Sequence, residues 1–299
     1  MKILDLTEKS RELHTKHLVF KVSKFPDGQQ TIDLSQTSDI NEDVTIKSRL
    51  NTFRDLELII CATAALKNLN TPNIHLYVPY FMGARSDRKF VDGGVNYLKD
   101  VISPIINLQG YKSVTILDPH SDVLEATINN FKKIDNIKLV KWALTDIDNT
   151  NSARNNVFLV SPDAGALKKV YNVAENFQID NLIVANKHRD IITGKITHTE
   201  VPGLDNESDK RKYVIIDDIC DGGRTFIEIA KVILEKRPRE IYGTEIYLIV
   251  THGIFSAGFL ELNKYFNRIY STNSYSDVNV ESFSDYTVDN DFLKQLNIF

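Results

Sequence analysis

The sequence predicts an α/β protein with mainly parallel sheets flanked by helices, arranged in two halves. Three observations predict it. Short apolar runs rich in β-branched residues alternate with segments whose apolar residues recur at helical spacing. Polar clusters stand just after the apolar runs end, where parallel sheets bind ligands. The order of elements is alike in the two halves, although no residue-level repeat accompanies it.

In the first half, His17–Val22 reads as a strand, followed by the turn Phe25-Pro26-Asp27-Gly28-Gln29, where Pro-Asp-Gly is a strong turn signal. Thr52 to Leu69 reads as a helix with Phe53, Leu56, Ile60 and Ala64 on one stripe. Ile74–Pro79 is a strand that runs into a cation-rich loop, Tyr80 to Phe90. Val95–Leu108 reads as helix and Ser113–Leu117 as strand, ending in Asp118-Pro119-His120. The polar stretch from Phe131 to Asn156 reads as the boundary between the halves.

The second half opens with the strand Val157–Val160, the turn Ser161-Pro162-Asp163-Ala164-Gly165 and a helix carrying Leu167, Val170, Val173 and Phe177. Leu182–Ala185 is a strand leading to Asn186-Lys187-His188-Arg189-Asp190. Tyr213–Ile216 is a short buried strand, followed by Asp217, Asp218, Asp221, Gly222, Gly223, Arg224 and Thr225, then a helix to about Lys236. Glu245–Val250 is a strand ending at Thr251-His252-Gly253, with a helix near Phe255–Asn263 and a strand at Arg268–Tyr270 behind it. The polar tail from Thr272 is left unassigned.

Composition bounds the function. The chain has 299 residues, 42% hydrophobic and 25% charged, with a net charge of −4. Its Lys and Arg are dispersed, so neither a nucleic acid nor a membrane surface is expected as the main partner. Cys61 and Cys220 form no CxxC spacing, which argues against a zinc site or a disulfide framework. With no apolar leader region and no run of 18 apolar residues, the expected compartment is a reducing cytoplasm, the host's if the chain is phage-encoded.

The chemistry concentrates at 217–225. Backbone N–H groups at a glycine turn, backed by a helix N-terminus, make an anion site. Carboxylates would repel a bare phosphate, so Asp217 and Asp218 suit a sugar's hydroxyls or a hydrated magnesium ion. An acidic turn without a ligand is the bland alternative. This stretch resembles the PRPP-binding motif of the type I phosphoribosyltransferase fold.

Other loops extend the resemblance to one family, the ribose-phosphate pyrophosphokinases (PRPP synthetases). Phe25–Gln29 resembles F-S-D-G-E, and Pro79–Lys89 resembles P-Y-F-G-Y-A-R-Q-D-R-K. Asp118-Pro119-His120 resembles D-L-H, Ser161–Gly165 matches S-P-D-A-G, Lys187-His188-Arg189 resembles K-R-R, and Thr251–Ser256 matches T-H-G-I-F-S. The resemblance runs from about residue 18 to 275. It implies two tandem type I phosphoribosyltransferase-like domains, 1–145 on the ATP side and 146–299 with the sugar-phosphate loop. It implies Mg²⁺-dependent transfer of the β,γ-diphosphoryl group of ATP to the anomeric hydroxyl of a 5-phosphorylated ribose.

The resemblance also implies roles. Phe25, Asp27, Gln29, Arg85, Ser86 and Asp87 hold ATP, with Phe25 and Arg85 suited to sandwich the purine. His120 and Asp163 hold Mg²⁺, although histidine is an unusual ligand for it. Lys187 and Arg189 are the catalytic cations of a closing loop. Asp217, Asp218, Asp221, Gly222, Gly223, Arg224 and Thr225 bind the ribose phosphate. A homo-oligomer, from dimer to hexamer, is implied, because the family's Phe-containing turn serves a neighbouring subunit's ATP site.

Four departures stand out. Gln29 and Ser86 replace Glu and Gln. Asp221-Gly222-Gly223-Arg224-Thr225 replaces D-T-G-G-T, exchanging a hydroxyl for a guanidinium and space. That change suits an acceptor larger than ribose 5-phosphate. ADP-ribose is the natural candidate, as in a phage-type branch of the family that makes ADP-ribose 1-diphosphate for NAD⁺ rebuilding; an outward-pointing Arg224 with an unchanged acceptor is the alternative. Asp190–Gly194 lacks the family's P-R-A-N. The C-terminal region after Ser271 diverges, which puts control by phosphate and ADP in doubt. A catalytically inactive regulatory homologue that binds nucleotides is the competing functional class, and a PRPP-consuming transferase would not need the motifs at Phe25 and Arg85.

Overall fold

The computed structural model describes residues 1–7, 16–35, 40–148, 156–189, 196–204, 209–278 and 291–299, with the side chains of Lys187, His188, Arg189, Ile196 and Thr197 excepted. The chain divides into two compact units, Met1–Asp135 with Phe299, and Asn136–Ile298.

Unit 1 contains β1 (Lys2–Asp5), β2 (Lys21–Lys24), β3 (Gln30–Asp33), β4 (Val44–Lys47), α1 (Phe53–Asn68), β5 (Ile74–Tyr77), α2 (Ser103–Leu108), β6 (Ser113–Leu117), α3 (Val123–Thr127) and β7 (Phe131–Ile134). Five strands form a parallel sheet in the order β1-β4-β5-β6-β7, and β2 and β3 form a separate hairpin. Helix α1 begins with a capping box: the Thr52 hydroxyl accepts from the Asp55 N–H, and the Asp55 carboxylate accepts from the Thr52 N–H. Its Leu56, Ile59, Ala62 and Leu66 join Leu4, Val44, Ile46 and Leu76 in the core, each buried Leu, Ile or Val worth about 1.5–3 kcal/mol of apolar burial.

The first half differs from its sequence reading in several places, including the unexpected β3 and α3. The expected strand at His17–Val22 begins only at Lys21, because Leu18 turns back to the sheet edge and donates to the Ile3 carbonyl at 2.8 Å. The expected helix over Val95–Leu108 is a π-helical turn, Leu98–Ile102, running into α2, whose first turn holds a proline that lacks a donor. Strands β1, β4 and β7 are short, and polar residues obscure them in the sequence.

Unit 2 contains α4 (Ile137–Ile147), β8 (Val157–Ser161), α5 (Leu167–Phe177), β9 (Leu182–Val184), β10 (Asn186–Arg189), β11 (Ile196–Glu200), β12 (Lys212–Cys220), α6 (Arg224–Lys236), α7 (Arg239–Tyr242), β13 (Glu245–Gly253), α8 (Leu260–Tyr265), β14 (Arg268–Thr272) and β15 (Leu293–Leu296). Six strands form a parallel sheet, β15-β14-β13-β12-β8-β9, and β10 pairs with β11 as an antiparallel hairpin. The central β12 is buried on both faces. Tyr213 and Ile215 pack with Phe226, Ile229 and Ile233 of α6, and Val214 and Ile216 pack with α4 and α5. Such a strand reads as a continuous apolar run, which is how its sequence looks.

Helix α4 lies whole in unit 2, with Leu139, Val140, Ala143, Leu144 and Ile147 buried. Strand β12 is longer than Tyr213–Ile216 and carries both acids before it ends at Cys220. The helix expected at Phe255–Asn263 is α8, starting at Leu260, because Phe255 (φ 50°) and Gly258 (φ 68°) take left-handed conformations that interrupt it. No helix among the described residues is long and apolar enough to cross a membrane.

Candidate functional site

The parallel sheet of unit 2 sends β8, β12 and β13 toward the same end, and their C-terminal loops converge there. Ile215 of β12 pairs with Val160 of β8, and Cys220 pairs with Gly253 of β13. The Ser161–Gly165 turn therefore lies beside Asp217, and the loop after Gly253 lies beside Asp221.

Asp217 and Asp218 form a tight acid pair. The Asp218 N–H donates to Asp217 Oδ1 at 2.9 Å. Burial first, then the negative charge of Asp218 and more weakly that of Asp163, hold the Asp217 carboxyl well above the ordinary carboxylate range. Two acids in such a relation share a proton readily, so together they can both accept from and donate to vicinal hydroxyls. Lys169, near the start of α5, reaches to 3.7 Å from Asp218 Oδ2 and sets one positive charge against the cluster.

Asp163 closes its own turn, accepting from the Ala166 N–H at 3.1 Å while the Ser161 hydroxyl donates to the Asp163 carbonyl at 2.8 Å. Cys220 is buried, and that burial pushes its thiol up, with the charges of Asp217 and Asp221 adding to the effect. It is therefore a packing residue and not a nucleophile.

Past Cys220 the chain makes a turn rich in outward-facing backbone amides. The N–H groups of Gly222, Gly223, Arg224 and Thr225 donate to no acceptor among the described residues. They open α6, a 13-residue helix whose N-terminus favours negative charge. Gly223 sits at φ 78°, and a Cβ there would lie 2.9 Å from the buried Leu262 side chain, so this position needs glycine. Gly222 has room: a Cβ would make only ordinary 3.8 Å contacts with Ala257 and Ser256. Arg224 is exposed and has no ion-pair partner among the described residues.

In unit 1 the hairpin turn projects outward. Phe25 N–H donates to the Gln29 carbonyl at 2.9 Å, Gly28 takes φ 101°, and Asp27 Oδ1 accepts from the Gln29 N–H at 3.1 Å. Phe25 is 53% exposed. Gln30 fastens the hairpin to α1 through Glu57 and the Arg54 carbonyl. Arg85, Ser86 and Asp87 lie in the loop after β5, with Arg85 exposed and Asn96 donating to the Asp87 carbonyl at 2.6 Å. His120 is exposed in the loop after β6. The backbones of Lys187 and Arg189 lie on β10, which has a bulge at His188–Arg189. Their side chains, and the 190–194 segment expected to form the lid, are outside the described residues.

Thus the structure brings together Asp163, Asp217, Asp218, Asp221 and the Gly222–Thr225 turn. It places the nucleotide-side residues on separate loops of unit 1. Among the described residues no three His, Cys, Asp or Glu side chains cluster as metal ligands. Two contributors to the site were not assigned a role from sequence. Lys169 follows the S-P-D-A-G turn by four residues, so its helical position was legible. Ser256 lies in the T-H-G-I-F-S match, but its role depends on a pairing that only the sheet register supplies.

Comparison with known proteins follows this geometry. A family model described as "Phosphoribosyl transferase domain" matches residues 129–284. A ribose-phosphate pyrophosphokinase of Sulfolobus acidocaldarius is 24% identical over 249 residues, covering 82% of this chain and 80% of the relative. One from Ralstonia nicotianae is 26% identical over 239 residues, covering 79% and 71%. The chain belongs to the phosphoribosyl transferase domain family. The crystal structure of phosphoribosylpyrophosphate synthetase from Mycobacterium smegmatis has the same fold, with a TM-score of 0.74, 17% identity and coverage of 94% and 87%. Both large sheets are parallel and helix-flanked, as the sequence predicts, and the acid pair and glycine turn stand toward the C-terminal end of β12.

Proposed function

We propose that this PRPP synthetase family member transfers the β,γ-diphosphoryl group of ATP to the anomeric hydroxyl of a 5-phosphorylated ribose, releasing AMP. The observation that carries the reading is the run of four N–H groups, Gly222 to Thr225, with no acceptor among the described residues, four residues after the Asp217–Asp218 pair. These amides are the cradle that takes the 5-phosphate, and Asp217 and Asp218 take the ribose hydroxyls. This leaves the anomeric hydroxyl of the acceptor to be aimed by fixed hydrogen bonds, which is how enzymes gain most from orientation.

On the nucleotide side, Phe25 and Arg85 stack on the purine, and Asp27, Gln29, Ser86 and Asp87 supply polar contacts. The exposed apolar residues Phe25 and Val22 on the hairpin support a homo-oligomer in which this turn completes a neighbouring subunit's ATP site. Lys187 and Arg189 meet charge as it develops on the transferring group.

A divalent cation fits the donor set. Asp163 offers a carboxylate oxygen beside the Asp217–Asp218 pair, and His120 is exposed. Mg²⁺ keeps several waters and substrate phosphates as ligands and uses only one or two protein groups, so a full protein cage is not required. When bound, Mg²⁺ neutralises the triphosphate. Asp163 would hold it in unit 2, and His120 is a separate candidate ligand in unit 1.

The acceptor is ribose 5-phosphate or, on the finer reading, ADP-ribose. The exposed Arg224, with no ion-pair partner among the described residues, beside the roomy Gly222 is the feature that favours a diphosphate substituent. An assay with Mg²⁺-ATP and each acceptor side by side, following AMP release and product mass, decides between them. Arg224→Gly lowers ADP-ribose use more than ribose 5-phosphate use if the larger acceptor is correct, and equal effects remove that reading. No transfer to either acceptor supports the inactive regulatory homologue instead.

A further inference from the structure

The loop after β13 is built onto the phosphate cradle. The Ile254 and Phe255 N–H groups donate to the Cys220 carbonyl at 2.8 and 3.2 Å, and the Ser256 N–H donates to the Asp221 carbonyl at 3.2 Å. The Ser256 hydroxyl then donates to Asp221 Oδ1 at 2.5 Å. The loop holding this hydroxyl is fixed from below. Phe255 is buried against Phe259, and its ring covers Gly253 so closely that a Cβ there would clash with it. Ser256 itself stays exposed at the rim.

The contact answers an electrostatic problem. Asp221 is the residue immediately before the four unspent N–H groups, and a freely swinging carboxylate there would either occupy them or repel a phosphate. A short, charge-assisted hydrogen bond fixes one oxygen of Asp221 against the neighbouring loop. The same hydroxyl lies 3.8 Å from the place a Gly222 side chain would occupy, so the clasp and the open space at Gly222 adjoin.

We infer that Ser256 is a positioning residue for the phosphorylated acceptor: its hydroxyl holds the Asp221 carboxylate clear of the anion cradle, so the loop after β13 sets acceptor affinity. The inference rests on the reading of 217–225 as the acceptor site.

The test is steady-state kinetics of the full chain with Mg²⁺-ATP and ribose 5-phosphate for wild type, Ser256→Ala, Ser256→Thr, Asp221→Asn and the double variant Ser256→Ala/Asp221→Asn, with melting temperatures for each. Ser256→Ala is expected to raise KM for ribose 5-phosphate about tenfold, the effect of one charged hydrogen bond, while kcat and KM for ATP change less than about twofold. Ser256→Thr restores the wild-type KM, and the double variant is no worse than Asp221→Asn alone. An unchanged acceptor KM in Ser256→Ala, with an active wild type, overturns the role of Ser256 and leaves the acceptor site standing. A fall in kcat and ATP affinity that tracks a lower melting temperature also overturns it, as a purely structural effect. A wild type that releases no AMP with ribose 5-phosphate or ADP-ribose overturns the acceptor reading and this inference with it.

Discussion

Gly223→Ala and Gly222→Ala, two neighbouring substitutions in one loop, are expected to behave in opposite ways. Gly223 has φ 78°, where an alanine costs roughly 1–2 kcal/mol from its Cβ alone. The added Cβ also meets Leu262 atoms at 2.9, 3.3 and 3.4 Å, and Leu262 is buried, so its displacement adds overpacking of about 1 kcal/mol or more. The total is about 2–4 kcal/mol, which in a unit of this size lowers the melting temperature by about 5–15 °C. Gly222 has no left-handed φ, and its Cβ would make only 3.8 Å contacts, so Gly222→Ala stays within about 0.5 kcal/mol of wild type. Thermal unfolding of both variants and wild type, followed by circular dichroism, measures the difference. Because the strain lies inside the cradle, Gly223→Ala also raises the acceptor KM at temperatures where it is folded. A Gly223→Ala protein that melts with wild type, or a Gly222→Ala protein that falls as far, refutes the reasoning.

Asp146 binds Arg268 at 2.9 Å, the Tyr270 hydroxyl at 2.7 Å and Lys294 at 2.7 Å, tying α4 to β14 and β15. Burial alone would raise its carboxyl, but the Lys294 and Tyr270 hydrogen bonds outweigh burial and hold it below the ordinary carboxylate range. The stability this gives is present above the unfolded-state pKa of about 4 and is lost as pH falls through the lower folded-state value. Asp146→Asn should lower the melting temperature at neutral pH, and the gap to wild type should close on acidification; a gap constant from pH 7 to pH 3 contradicts the assignment. Lys187→Ala should cut turnover by about 10³-fold or more while ATP affinity, measured by calorimetry, stays within about threefold. Near-wild-type rates contradict the catalytic role of β10.

The parts of the fold legible in sequence were those with strong, uninterrupted pattern. Strand Ser113–Leu117 and helix Leu167–Phe177 carry clear periodicity and lie where that periodicity puts them. Strand β4, Val-Thr-Ile-Lys, has only two apolar residues, and its burial comes from neighbours in the sheet that sequence alone does not supply. Helix α4 shows a good apolar stripe, but the Asp and Asn residues after it make the segment resemble a linker in sequence. At the site, the acid pair and glycine turn were readable because strand, acids and helix are contiguous. The Asp217–Asp163 proximity, the Lys169 countercharge and the Ser256 clasp join segments far apart in sequence through sheet register. Local pattern carries no such information.

The central claim is that the Gly222–Thr225 amides hold the acceptor's phosphate and the Asp217–Asp218 pair holds its ribose. A crystal structure of the full chain with ribose 5-phosphate and a non-hydrolysable ATP analogue tests it most directly. The account predicts phosphate oxygens within hydrogen-bond distance of those four N–H groups and ribose hydroxyls on the two carboxylates. A sugar phosphate bound elsewhere, with the cradle left to water, would contradict it.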